Sequence, residues 1–348
     1  MPQSSRAAGG QLGRYLAEDA PMVFLPGMSC RAKLVKNWAE IGSGFRHSRG
    51  MNTLVLLRLV VASCVAAGSV QAAGRFLCCD HNGGKVCVVS ADGGIEWEYA
   101  CKNPQDCWRL GNGNYLFCFA TGALELTPEK KAVWEYRAPT NAEVHACQPL
   151  PNGRVLVVEC GTSRIIEVDR EGKVAKTIPL VTAPAIALHN QFRGTRKTAN
   201  GHYLVCFKGE GKIVELDGEG RALHEIKVAG DPHEVVPLPD GHLLITCGDG
   251  HKAIELDGRG QVVWELNEKE LPGNPLRLMA GCQRLPNGNT VFCNYLGHGH
   301  IGEQPQCFEV TRAKKVVWEF SGHARFKTIN QIQMLDVRGD PAKGKILR

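Results

Sequence analysis

Several signals that would decide a function at once are scarce or missing in this 348-residue chain. Aromatic residues make up only 7%, and the 41 Lys+Arg exceed the 35 Asp+Glu by just six. Although there are 15 cysteines, no two Cys-x-x-Cys clusters stand at the spacing that holds zinc. The apolar run at residues 51–73 is broken by Arg58 and passes quickly into Ala, Gly and Ser, so it does not make a retained span of about 20 apolar residues. What is present is 43% apolar and 22% charged residues, enough for a sizeable core in an ordinary folded protein.

The run MNTLVLLRLVVASCVAAGSVQAA at 51–73 has a start-like Met, an apolar stretch and small residues ending in Val70-Gln71-Ala72, which fits an export signal cleaved after residue 72. A lipoprotein anchor at Cys64 is the less favoured alternative, because the sequence beyond Val65 stays small and apolar. Residues 1–50 show no clear periodicity and are expected to be a non-native or disordered extension, with translation starting at Met51. Without residues 1–72 the chain has 276 residues, with 33 basic and 32 acidic side chains. No basic stripe survives, so neither a nucleic-acid partner nor a membrane span is expected of the exported part. It carries 13 cysteines, an odd number, so at least one cannot pair internally.

The exported part repeats itself. A turn flanked by apolar residues recurs as RLGNGNYLF, PLPNGRVLV, KTANGHYLV, PLPDGHLLI and RLPNGNTVF; Asn-Gly or Asp-Gly between apolar runs is a hairpin signal, expected here to place both central turn residues at positive φ. A second pattern recurs six times, five of them after such a turn: VVSADGGIEWEY, LELTPEKKAVWEY, IEVDREGKVAKTI, VELDGEGRALHEI, IELDGRGQVVWEL and FEVTRAKKVVWEF. Its Trp or equivalent falls at Trp97, Trp134, Lys176, His224, Trp264 and Trp318. Units of four short strands at this period predict an all-β, six-bladed β-propeller over residues 75–337 with a C-terminal tail at 338–348. The first unit is one strand short and Ile329–Leu335 is one strand extra. Gln333-Met-Leu matches Gln148-Pro-Leu and Gln283-Arg-Leu, so the C-terminal strand is expected to complete blade one and close the ring. A β-sandwich would need neither a period nor such a strand.

Cysteine keeps to the repeat. Cys79, Cys118, Cys206 and Cys293 share one place with Val158 and Thr246, while Cys107, Cys147 and Cys282 share another, so most thiols read as small buried packing groups. The neighbours Cys78 and Cys79 are expected to face opposite ways, and the tryptophans to fill gaps between blades. Arg338-Gly339-Asp340 matches an adhesion tripeptide, a pattern frequent by chance. Counting back along each inner strand from its apolar anchor aligns Gln105, His145, Arg193, His233, Ala280 and Asn330. Five of these six are polar where a core position would be apolar, so they are candidates for a ligand-binding ring at one channel mouth. The long inter-blade connections and the loop carrying His298 and His300 belong to the same face. No metal site is expected there, His298-x-His300 reading as a flexible glycine-rich loop. The expected partner is a small molecule, a glycan or a protein bound on that face by a monomer.

The stretch Val144-His145-Ala-Cys-Gln-Pro-Leu-Pro-Asn-Gly-Arg-Val-Leu-Val157, followed by Ile166-Glu-Val-Asp-Arg-Glu-Gly-Lys-Val174, resembles the blade repeats of arylsulfotransferase-like propellers, and the strand–turn–Trp units are also similar to quinoprotein-like repeats. The likeness covers about residues 75–337. It implies a channel histidine acting as a transient sulfate carrier, His145 or His233, with Arg193 and Asn330 as anion and hydrogen-bond partners. Ala280 and Gln105 depart from a cationic ring, and six blades with a shortened Trp spacing leave no place for a quinone cofactor. The sequence therefore predicts an exported binding module, with a histidine-dependent transferase as the alternative.

Overall fold

The computed structural model describes Gly74–Arg348; the extension 1–50, the expected signal at 51–72 and Cys64 lie outside the described residues. From Phe76 to Met334 the chain forms 24 strands in six four-stranded antiparallel sheets, a six-bladed β-propeller. The inner strands of blades two to six are Pro104–Arg109, Glu143–Pro149, Phe192–Lys197, Pro232–Pro237 and Leu278–Arg284. Blade one, built on Phe76–Asp80, Lys85–Val89 and Ile95–Ala100, takes its innermost strand, Ile329–Met334, from the far end of the chain. The ladder runs from Phe76 opposite Met334 to Asp80 opposite Ile329.

The glutamines that aligned the closing strand have a structural reason to recur. Gln148 accepts from the Lys197 amide at 2.7 Å, Gln283 from the Met334 amide at 2.7 Å and Gln333 from the Arg109 amide at 2.8 Å. Each side chain thus hydrogen-bonds the inner strand of the next blade, satisfying an amide that would otherwise be buried without a partner.

Because every blade is covered on both sides, a strand such as Tyr115–Phe119 reads as a continuous apolar run, and Val155–Cys160 is buried throughout, Glu159 included. The core consists of six clusters, one at each blade–blade interface. Cys78 packs between blades six and one and Cys79 between blades one and two, opposite faces of one strand. None of the 13 cysteines among the described residues is bridged. Three tryptophans also reach across an interface: the indole N–H groups of Trp97, Trp134 and Trp264 donate to the carbonyls of Pro128, Asp169 and Arg312, in the outer turn of the following blade.

The inner hairpin turns correct one expectation. Only the glycine has positive φ, as at Gly153 (81°) and Gly241 (83°), and its amide bonds the carbonyl three residues back. This is a type I turn followed by a left-handed glycine. Pro151, Pro239 and Pro286 stand at the first central position and lock φ negative there, which excludes a turn with two positive φ values.

The residue after that glycine has a partner too. Asn114, Arg154, His202, His242 and Asn289 bond Glu125, Glu167, Glu215, Glu255 and Glu309 on the third strand of their own blades, at 2.7, 3.3, 2.7, 2.9 and 2.6 Å. The Glu between two apolar residues on each of these third strands therefore ties the innermost turn to that strand.

Candidate binding site at the channel mouth

The six ring positions share a backbone feature. In each inner strand the ladder to the second strand slips at this point, leaving Gln105, His145, Arg193-Gly194, His233, Ala280-Gly281 and Asn330 as the extra residues of a β-bulge. A bulge takes a residue out of the pleat and re-aims its side chain. His145, Arg193, Ala280 and Asn330 are buried, and Gln105 and His233 half-buried.

The ring is unevenly polar. On one side Asn330 donates to the Pro104 carbonyl at 3.1 Å and to Gln105 Oε1 at 3.4 Å, and its own Oδ1 is buried without a partner. Ala280 contributes a backbone carbonyl to Thr246 at 2.5 Å. On the other side, Arg193 donates Nη1 to its neighbour's carbonyl, Phe192 O, at 2.8 Å, and among the described residues no carboxylate lies within ion-pairing distance of it. Its charge bears on His145 of blade three, His233 of blade five and His81 in the first loop of blade one. Burial and this charge push both His145 and His233 below the ordinary imidazole range, so both are neutral at pH 7; burial lowers Arg193 as well.

His145 also meets two groups that sequence reading did not single out. Its Nε2 lies 3.1 Å from Glu143 Oε2, and His189 Nδ1 lies 2.8 Å from the same oxygen. Glu143 is two residues before His145 on one strand; His189 comes from a single-turn 3-10 helix, Leu188–Asn190, in the long connection between blades three and four. His145 Nδ1 is buried and has no partner. The two imidazoles of the blade-six loop are held apart by separate acids, His298 by Asp249 at 2.9 Å and His300 by Glu303 at 2.7 Å.

Below the ring the channel is filled with charge. Arg196 bonds Asp106 at 3.0 Å and Glu234 at 3.1 Å, and Gln331 donates to Glu234 at 2.8 Å. Gly194 and Gly281 make room: a Cβ at either would strike the Glu234 or Gln331 side chain. The fourth charge is Arg348. The segment after Val337 does not trail away: a turn at Pro341–Lys343, capped by Asp340, leads to Ile346, buried between blades two and three, and to Leu347, bridged to Arg284. Arg348 then bonds Asp106 at 3.0 Å and the Cys107 carbonyl, with its guanidinium 4.3 Å from the centre of the Trp108 ring. Cavities of about 1010 and 380 Å³ flank this segment on the short-turn face. There, charged lining groups such as Lys197, Glu215 and His242 already have partners, while Arg348 Nε, like His145 Nδ1 and Asn330 Oδ1 at the mouth, is buried without one.

A six-bladed propeller with a polar, bulged mouth is the class that fold and site define. The chain is similar to a protein of unknown function from Bacteroides caccae, at 29% identity and a TM-score of 0.69 over 74% of this chain and 97% of that one. It shares its fold with a streptogramin B lyase (14% identity, TM-score 0.54, 72% of this chain and 82% of that one) and with virginiamycin B lyase from Staphylococcus aureus (15%, 0.51, 72% and 85%). No protein-family model and no curated protein sequence matches the chain. No helix among the described residues is long and apolar enough to cross a membrane.

Proposed function

We propose that the protein is an exported binding module that takes a small anionic ligand at the long-loop mouth of the channel. The observation that carries this reading is Arg193, a buried guanidinium with no carboxylate partner, on a bulge beside His145 and His233. A buried charge without a counter-ion in contact is costly, Glu143 and Asp231 acting on Arg193 only from beyond ion-pairing distance, and an anion with planar oxygens is the natural complement of the guanidinium fork. The vacant Nδ1 of His145 and Oδ1 of Asn330 provide further hydrogen-bonding capacity. Thermal denaturation of the protein with aryl sulfates, sugar acids and neutral glycans tests the proposal. At about 100 Kd a ligand of the native state adds about 2.7 kcal/mol, a shift of several degrees. The expected result is a shift with anions that disappears in Arg193→Met; equal shifts in both proteins, or none with any anion, overturn it.

The arylsulfotransferase-like reading draws support from one observation, the Glu143–His145 contact, which orients an imidazole by one nitrogen and leaves the other free to attack. In that case Nδ1 takes the sulfuryl group as the phenolate leaves, and an acceptor hydroxyl later receives it. Aryl sulfate turnover abolished by His145→Ala would favour the transferase; binding without turnover favours the module.

A further inference from the structure

We propose that Glu143 Oε2, His145 Nε2 and His189 Nδ1 together hold a first-row divalent cation of zinc type, with the remaining coordination positions left to water or to the ligand of the mouth. The three donor atoms lie within 4.8 Å of one another. On a tetrahedral ion with bonds of about 2.0–2.1 Å, neighbouring donors stand about 3.3 Å apart. The observed separations from Glu143 Oε2, 3.1 Å to His145 and 2.8 Å to His189, lie within about 0.5 Å of that value. The two imidazoles converge on one carboxylate oxygen rather than one on each, with ring centres 5.1 Å apart and planes at 74°. Two imidazoles and one carboxylate suit zinc and its first-row neighbours and disfavour calcium and magnesium, which take oxygen ligands.

The placement has two structural sources. Glu143 and His145, two apart on a strand, are on the same side of it, and the bulge brings His145 out of the ladder. The long connection brings His189 to meet them. The second observation is His145 Nδ1, buried and unpartnered. A cation on Nε2 leaves the ring proton on Nδ1, turning that atom into a donor. Metal-bound histidines ordinarily give this proton to a carboxylate or carbonyl; here the ligand's own anionic group is the available acceptor. This deepens the anion-binding reading and rests on it for the identity of that acceptor. With one carboxylate among the donors and Arg193 nearby, a bound dication makes the mouth more positive, so cation and anion are expected to strengthen each other's binding, reciprocally.

The experiment is calorimetric titration of metal-stripped protein with Zn²⁺ alone and then with phenyl sulfate present, on wild type, Glu143→Gln, His189→Ala and, as a control at another carboxylate–histidine cluster, Asp240→Asn. The expected result is one site weakened at least tenfold by Glu143→Gln and by His189→Ala and unchanged by Asp240→Asn. His189 is exposed, so its variant should melt as the metal-free wild type does. Zn²⁺ bound equally by all four proteins, or not bound at all, overturns the metal site even if phenyl sulfate binds through Arg193. Zn²⁺ bound as expected while no anion adds to it upholds the metal site and removes the anion reading.

Discussion

Asp106 is the residue on which the channel centre depends. It accepts from both Arg196 and Arg348, whose guanidinium groups lie 5.2 and 4.3 Å from the Trp108 ring centre, and all four side chains are buried. Two cations balanced by Asp106 and Glu234 are tolerated away from water only while the set is complete. Asp106→Ala is therefore expected to destabilise the fold by about 3–5 kcal/mol, read as a lower urea midpoint at unchanged slope. Combining Asp106→Asn with Arg348→Met should recover much of that loss, because it removes a charge of each sign. None of this is legible from the sequence: Asp106 sits on an unremarkable strand and Arg348 lies outside every repeat. The ring residues were legible because the count from the apolar anchor is preserved from blade to blade, but their bulges were not, since a slip in a ladder depends on both strands. Glu143 and His189 escaped notice because neither occupies a position that recurs.

Among the elements, the third strands of blades three and five each hold a carboxylate that loses its contribution in acid. Burial pushes Glu255 and Glu167 upward. Hydrogen bonds from His242, Arg284 and Arg312 to the first, and from Lys197, Tyr203 and Arg154 to the second, outweigh that and hold both below the ordinary carboxylate range. A carboxylate whose folded pKa is depressed stabilises the fold above its unfolded pKa, about 4.3, and that contribution is lost as pH falls through the folded value. Stability is thus expected to begin falling below about pH 6.5, where the unfolded chain protonates imidazoles that His145 and His233 keep neutral in the fold, and to fall further below about 4.3 as these carboxylates lose their contribution. In Glu255→Gln the acid-dependent loss should be smaller and the stability at pH 7 lower, as urea titrations at several pH values would show. The blades themselves were readable because the turn glycines, the third-strand glutamates and the tryptophans recur in register. The turn type was misread because Asn-Gly outweighed the proline before it.

At the scale of the molecule, the C-terminal segment enters the channel from the short-turn face and adds Arg348 to the buried charges beneath the ring. Removing residues 338–348 leaves Arg196 facing Asp106 and Glu234 alone. The expected outcome is a clear fall in urea midpoint, with the anion-induced thermal shift at the opposite mouth retained; loss of that shift in a protein that still folds would show the two ends to be coupled.

The borrowed strand of blade one imposes a timetable on the chain. Phe76–Asp80 is among the earliest strands to be synthesised, yet its inner neighbour, Ile329–Met334, is the last. Until it arrives, one edge of the first blade has no partner, and an open edge is the kind of surface on which other chains can pair. Blades two to six can each form from local hairpins, but ring closure joins residues about 250 apart, the kind of contact that slows folding. A nascent or interrupted chain lacking its last twenty residues would have five complete blades and one incomplete one. Quality control and loss by aggregation would then act chiefly on the time between forming the blades and closing the ring.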